Sequence, residues 1–287
     1  MTTIYRRELR SYFTNMHGYV FGAFLLLFTG IFCYAANLKG GYSQLEYALG
    51  NASFIFMLIV PVVTMKCIAE EKHQRTDQLL YSLPITSGDV VLGKFFALYT
   101  VFAIPMAIMC AYPLILGMFG EVNFAATYSC IFGFFLLGGA LLSLGLFISS
   151  LTESQVIAAV VSFIAVMLCY FMSSLASMMP SAAWVSVVAF SVVSLLVGLC
   201  VYVLSRDWWI AGCFALAAEI AVIVWYISDK AAFEGMFARC IEKLSIYDIY
   251  YSFSVGTFDL SAVVYYISIM GVCLFLTVQS LERKRYN

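Results

Sequence analysis

The feature that most constrains this chain is a recurrence: apolar stretches of 17 or more residues follow one another from end to end, separated by polar links. A helix rises 1.5 Å per residue, so each stretch is long enough to cross about 30 Å of hydrocarbon. Eight runs can be placed, at about 18–36, 52–68, 94–119, 124–151, 156–179, 183–204, 208–227 and 260–281. Only 11% of the 287 residues are charged and 63% are hydrophobic, against about a quarter charged in soluble domains. That composition supplies too little polar surface for a water-soluble fold. The expectation is an all-α polytopic membrane protein, one transmembrane domain over 1–287.

The links between the runs give the organisation. Residues 3–15 interleave Arg6, Arg7, Glu8 and Arg10 with Ile4, Tyr5, Leu9, Tyr12 and Phe13, which suits a short interfacial helix lying along the membrane surface; a plainer reading is a charged anchor that fixes orientation. The first apolar run begins only at about Gly18 and has no small-residue cleavage pattern behind it, so it reads as a true span and not a cleaved signal. A polar loop with Lys39, Gly40, Gly41 and Glu46 precedes the second run, and the long polar segment 69–93 follows it. A hydrophilic helix is predicted in that segment. Pro105 and Pro113 interrupt the third run, and tight links at 121–123 and 152–155 bound the fourth. The runs 183–204 and 208–227 form a predicted hairpin, and 229–259 is amphipathic and rich in Tyr and Phe.

Orientation follows from the basic residues. With the N-terminus inside, Arg6, Arg7, Arg10, Lys66, Lys72, Arg75, Lys94, Arg206, Arg283, Lys284 and Arg285 fall on the cytoplasmic side, and Lys39, Lys230, Arg239 and Lys243 fall outside. Eleven of 15 is a clear positive-inside bias. Both termini are therefore predicted to be cytoplasmic, with eight spans or with six. Segment 229–259 is then extracytoplasmic.

The chain contains no GxxxxGK[ST], HExxH or GxSxG motif, the patterns that hold a nucleotide, a zinc ion or a serine nucleophile. No catalytic residue, metal ligand or bound cofactor is expected, and any energy source must sit on another chain. The nine cysteines are scattered without a CxxC or Cys/His cluster and read as small packing residues. His17 and His73 stand alone at membrane edges. Glu219 falls near the centre of the 208–227 run, where a charged carboxylate costs at least about 2.5 kcal/mol. It is either an intramembrane polar site for a proton or substrate, or a hydrogen-bonded strut. Gly133, Gly138, Gly139 and Gly145 give the fourth run small surfaces for close helix packing.

The most informative stretch runs Glu71-Lys72-His73-Gln74-Arg75-Thr76-Asp77-Gln78-Leu79-Leu80-Tyr81-Ser82-Leu83-Pro84, then Asp89-Val90-Val91-Leu92-Gly93-Lys94. It resembles the cytoplasmic loop of type-2 ABC permeases, with its charged stretch, threonine, leucine pair, proline and Gly-Lys at the third span. Arg75 stands where relatives carry glycine before the threonine. Arg7-Glu8-Leu9-Arg10-Ser11-Tyr12-Phe13 with Gly18-Tyr19-Val20, and the closing Ser245, Tyr250, Gly256, Asp259-Leu260 and Val264-Tyr265-Tyr266, resemble the gliding-motility-type branch. Thr152-Glu153-Ser154-Gln155 is similar to that family's link between the fourth and fifth spans. The resemblance covers about 3–180 and 233–283, with 183–227 as an inserted hairpin.

The resemblance implies six core transmembrane helices plus that hairpin. It also implies a permease subunit of an ATP-binding-cassette exporter in the cell membrane, of the bacterial cytoplasmic type. Segment 69–93 would form the coupling loop to a cytoplasmic ABC ATPase, with Glu71, Arg75, Thr76, Leu79, Leu80 and Pro84 as coupling residues. ATP and magnesium would bind in that partner. A second permease copy or homologous permease and an extracytoplasmic auxiliary subunit are the other implied partners, beside membrane lipid; nucleic acid is not. Two rivals stand against it: a membrane-embedded lipid-modifying enzyme with Glu219 or Asp259 as acid, and a proton-coupled secondary transporter using Glu219. Neither accounts for segment 69–93.

Overall fold

The computed structural model describes residues 1–42, 44–75, 86–180, 183–192, 194, 219, 226, 233–255 and 258–286. Among them the regular structure is helical, with no strand. Six helices are long and apolar enough to cross a membrane: His17–Lys39, Leu45–His73, Ser87–Leu116, Phe124–Leu151, Gln155–Met178 and Leu260–Arg283. They correspond to six of the eight predicted runs. Of the predicted hairpin 183–227, only Ala183–Val192, Ser194, Glu219 and Tyr226 are described; the rest lies outside the described residues. Contacts divide the chain into two units, Met1–Tyr170 with Ile249–Asn287, and Phe171–Asp248.

In the first unit, α1 (Thr2–Thr14) ends at an elbow where Met16 takes a left-handed φ of 59°. The first span, α2 (His17–Cys33), continues as a π-helical turn, Tyr34–Lys39. The second span is built in pieces: α3 (Leu45–Ala52), a 3-10 turn (Ser53–Ile55), α4 (Phe56–Thr64) and α5 (Ala69–His73). Pro61 lies within α4, where its ring removes one backbone donor. The polar loop expected to hold Glu46 is shorter than predicted, because Leu45, Ala48, Leu49 and Ala52 are fully buried. Their i, i+3, i+4, i+7 spacing forms one apolar helix face. Glu46 is carried into the protein on that helix.

The third span also begins earlier than its apolar run. Thr86 caps α6 (Ser87–Met109): its hydroxyl oxygen accepts the Asp89 N–H at 3.2 Å and donates to the Asp89 carboxylate at 2.8 Å. This reciprocal cap turns 87–93, expected as loop, into the first two turns of the span. The helix breaks after Met109 and resumes as α7 (Tyr112–Leu116), with Pro113 in the first turn where no N–H is needed. Asn123 caps α8 (Phe124–Leu151) by accepting the Ala126 N–H at 3.3 Å.

Helix α8 is the central column of the unit, with α13 (Leu260–Tyr286), α6 and α4 packed along it. Phe56, Phe102 and Phe134 form its fully buried aromatic layer, with centroids 4.7 Å apart for Phe56–Phe134 and 5.7 Å for Phe56–Phe102. Glycine is what lets this layer close. A Cβ on Gly138 would stand 2.5 Å from the Phe102 ring, and one on Gly145 would stand 2.4 Å from Thr64 Oγ1. The fifth span is α9 (Gln155–Met178).

In the second unit, α10 (Ala183–Val192) meets α11 (Met236–Leu244). Phe190 contacts the edges of Phe237 at 5.3 Å and Phe233 at 6.3 Å, and Ser186 Oγ accepts the Phe237 N–H at 3.4 Å. The aromatic segment 229–259 thus contributes α11 and then α12 (Ile246–Ser254).

Candidate functional site

Helix α1 lies against the first turns of the third span. Gly93 admits it: a Cβ there would come within 3.1 Å of Ile4 Cγ2, and one turn beyond Ile4 the side chain of Glu8 reaches Lys94. Tyr5 and Thr100 hydroxyls, 3.1 Å apart, extend the same seam.

Four charged groups from three elements meet at this seam. Lys94 Nζ lies 2.8 Å from Glu71 and 3.4 Å from Glu8. Arg7 reaches the same two carboxylates, at 2.6 Å to Glu8 and 3.0 Å to Glu71. Lys94 also donates to the Cys67 carbonyl at 2.8 Å, and the Tyr12 hydroxyl lies 2.9 Å from Cys67 Sγ. The Lys94 side chain is only 3% exposed, so an unpaired ammonium there would cost several kcal/mol. Arg7 is half exposed. Partial burial works against its charge, yet the hydrogen bonds and charges of Glu8 and Glu71 outweigh it and hold the guanidinium above its ordinary value. Burial, then the neighbouring Cys67, pushes the Tyr12 phenol well above its ordinary value and keeps it a neutral hydrogen-bonding group.

A second set of bonds ties the same segment to the end of the fourth span. Ser149 Oγ accepts the N–H groups of Ile68 at 3.3 Å and Ala69 at 3.1 Å. Lys72, itself buried, donates to the Ser150 carbonyl, which also accepts from Ser280 Oγ at 3.3 Å. The last carbonyls of a helix have no partner within it, and a cation there also complements the helix dipole. Residues 67–72 are therefore fixed to α1, the third span and the fourth span, and the Ser150 carbonyl in turn binds the last helix.

Residues 3–186 match the profile of the ABC-2 family transporter protein. The chain belongs to the ABC-2 transporter family. It is thus the membrane-spanning permease component of an ABC transporter, a multi-pass membrane protein whose family membership implies an ABC ATPase partner. The family match takes in α1, the four-charge cluster and the Ser149–Ser150 anchor. Comparison with curated proteins finds no match.

Of the residues singled out from the sequence of this ABC-2 permease, Arg7, Glu8 and Glu71 come together, whereas Arg6 and Arg10 remain exposed on α1. Arg75 follows α5 with a left-handed φ of 57° and an exposed side chain. Glycine adopts that backbone freely, while a non-glycine residue there costs on the order of 1 kcal/mol. Thr76, Leu79, Leu80 and Pro84 lie outside the described residues. Lys94, Lys72, Ser149 and Ser150 were not singled out as site residues. Two lysines flanking apolar runs were the available signal, but nothing marked the serines, because their role is made by tertiary contact.

Among the described residues, Glu219 accepts from Ser191 Oγ at 3.0 Å, and Ser194 Oγ, 2.8 Å from its other oxygen, shares one proton between it and the Ser191 carbonyl at 2.9 Å. The two serines stand three residues apart in the sequence, a spacing that brings both to one side of a helix. Asp259 is exposed and sits at the start of α13, accepting from the Ser261 hydroxyl and from the Ser261 N–H at 2.9 Å. Those two bonds hold its carboxyl below the ordinary value, as suits a helix cap.

Proposed function

We propose that this ABC-2 permease couples ATP hydrolysis in a separate cytoplasmic subunit to export of a substrate, or to work on an extracytoplasmic partner. Within segment 69–93, the part ahead of the third span is the coupling loop, with Glu71, Arg75, Thr76, Leu79, Leu80 and Pro84 at the ATPase contact. The ATPase binds ATP and magnesium. Two permease halves, identical or homologous, make up the membrane part, with both termini of each in the cytoplasm and 183–227 added as a hairpin to six core spans. The setting is the bacterial cytoplasmic membrane, the branch is the gliding-motility type, and segment 229–259 is the contact for an auxiliary subunit outside.

The observation that carries this reading is the Arg7–Glu8–Glu71–Lys94 cluster, which joins the root of the loop to α1 and the third span. A loop rooted this firmly moves membrane helices when a soluble partner moves it. The test uses the permease–ATPase complex in nanodiscs. Replacing Leu79 and Leu80 by Asp removes the ATPase from the purified complex. Lys94→Met leaves the complex assembled and lowers ATP hydrolysis about tenfold, equivalent to about 1.4 kcal/mol of barrier. Normal ATPase association in the double Asp variant would overturn the loop assignment, and full hydrolysis in Lys94→Met would overturn the role of the cluster.

A further inference from the structure

At the far end of the second span from the charged cluster, two buried oxygens lack partners among the described residues. Glu46 is 8% exposed and Asn37 is 5% exposed, and Glu46 Oε2 and Asn37 Oδ1 each lack a hydrogen-bond partner. The Asn37 amide is oriented by its own bonds: Nδ2 donates to the carbonyls of Tyr42 at 2.8 Å and Gln44 at 2.9 Å. Both amide protons are then used, and Oδ1 is left as an acceptor. Glu46 Oε1 is only partly served. Thr127 Oγ1 lies 2.9 Å from it and 3.0 Å from the Asn123 carbonyl, and one hydroxyl proton cannot satisfy both.

Nearby, Cys130 Sγ and the Tyr250 hydroxyl bond to each other at 3.1 Å, and neither is a hydrogen-bond partner of Glu46 Oε2. No basic residue among the described ones pairs with Glu46 either. Lys39 is the sole basic residue in 34–52, and it is exposed and forms no ion pair among the described residues. The local backbone is irregular as well: Asn37 sits in the π-helical turn Tyr34–Lys39, a geometry found frequently at functional sites. The exposed rings of Tyr42, whose carbonyl accepts from Asn37, and Tyr47, which follows Glu46 in the chain, lie 5.5 Å apart.

These groups are all acceptors, one of them a carboxyl, beside a pair of tyrosine faces. We propose that this end of the first unit holds a site for a primary ammonium group, with Glu46 Oε2 and Asn37 Oδ1 as acceptors and Tyr42 and Tyr47 at the rim. An ammonium brings three N–H donors and no acceptor, which matches the unmet groups, and aromatic faces attract it further. The same chemistry is offered by an amine-bearing solute and by the headgroup of an aminophospholipid, whose depth in the bilayer is that of span ends and of tyrosines. This site is independent of the coupling reading.

The test is the melting temperature of the purified full chain in nanodiscs. Ethanolamine added in pure phosphatidylcholine, or replacement of that lipid by phosphatidylethanolamine, raises it saturably by about 5 °C. A rise with ethanolamine identifies a solute site, and a rise with phosphatidylethanolamine alone identifies a headgroup site. Glu46→Gln, which retains an oxygen for Thr127, abolishes the rise. Tetramethylammonium carries the charge but donates no N–H, and in the wild-type chain it gives none. No rise with either amine, an equal rise with tetramethylammonium, or an undiminished rise in Glu46→Gln would each overturn the proposal. The tetramethylammonium comparison needs no variant and stands even if Glu46→Gln does not fold.

Discussion

The fourth and fifth spans are equally apolar, yet 78% of the most apolar window of the fourth is buried and only 17% of that of the fifth. In a bilayer, lipid tails are as apolar as leucine, so hydropathy does not distinguish a helix that faces lipid from one that faces protein. Small residues make the difference. The fourth span presents Gly133, Gly138, Gly139 and Gly145, with Ala140 and Ser143, and neighbouring side chains close on each of these glycines. The fifth buries a narrow stripe, Ala158, Ser162 and Val166, and leaves Val156, Ile157, Val160 and Ile164 exposed. The one is a column on which other helices stand. The other keeps a free apolar face.

The comparison is broken most severely at Gly138. Gly138→Leu drives a side chain into the Phe102 ring and destabilises the permease by about 3 kcal/mol, at the upper end of overpacking costs. Its melting temperature in detergent should fall accordingly, and an unchanged value would mean the column is not closely packed. A smaller loss follows at the end of the column. Ser149→Ala removes the acceptor of two buried N–H groups and costs about 2 kcal/mol, and faster hydrogen exchange at Ile68 and Ala69 reports where. The least effect falls on the fifth span, where Ile164→Ala in the isolated chain should cost under about 0.5 kcal/mol. A loss above about 2 kcal/mol would show that this face packs against protein.

The same contrast explains what was legible in the amino-acid order. Six spans were readable from apolar length alone, and the start of the fourth from Asn123 and Phe124. Glu46 was misplaced in a loop, because the helix that carries it inward is stabilised by Leu45, Ala48, Leu49 and Ala52 and not by its own polarity. The third span began early because Thr86 and Asp89 cap it ahead of its apolar run. Glu71, Arg7 and Glu8 stood out individually as charges beside spans. That they share Lys94 depends on Gly93 admitting α1, a contact between residues about 90 positions apart. Pairings of that kind leave no periodic trace.

The central claim is that this chain is driven by a partner's ATP hydrolysis through the segment rooted at Glu71 and Lys94. The most direct measurement is gentle purification of the tagged chain from its native membrane, with mass spectrometry and an ATPase assay on the eluate. The account predicts a stoichiometric ABC ATPase subunit and associated ATP hydrolysis. A monodisperse chain with no such subunit and no hydrolysis would contradict it.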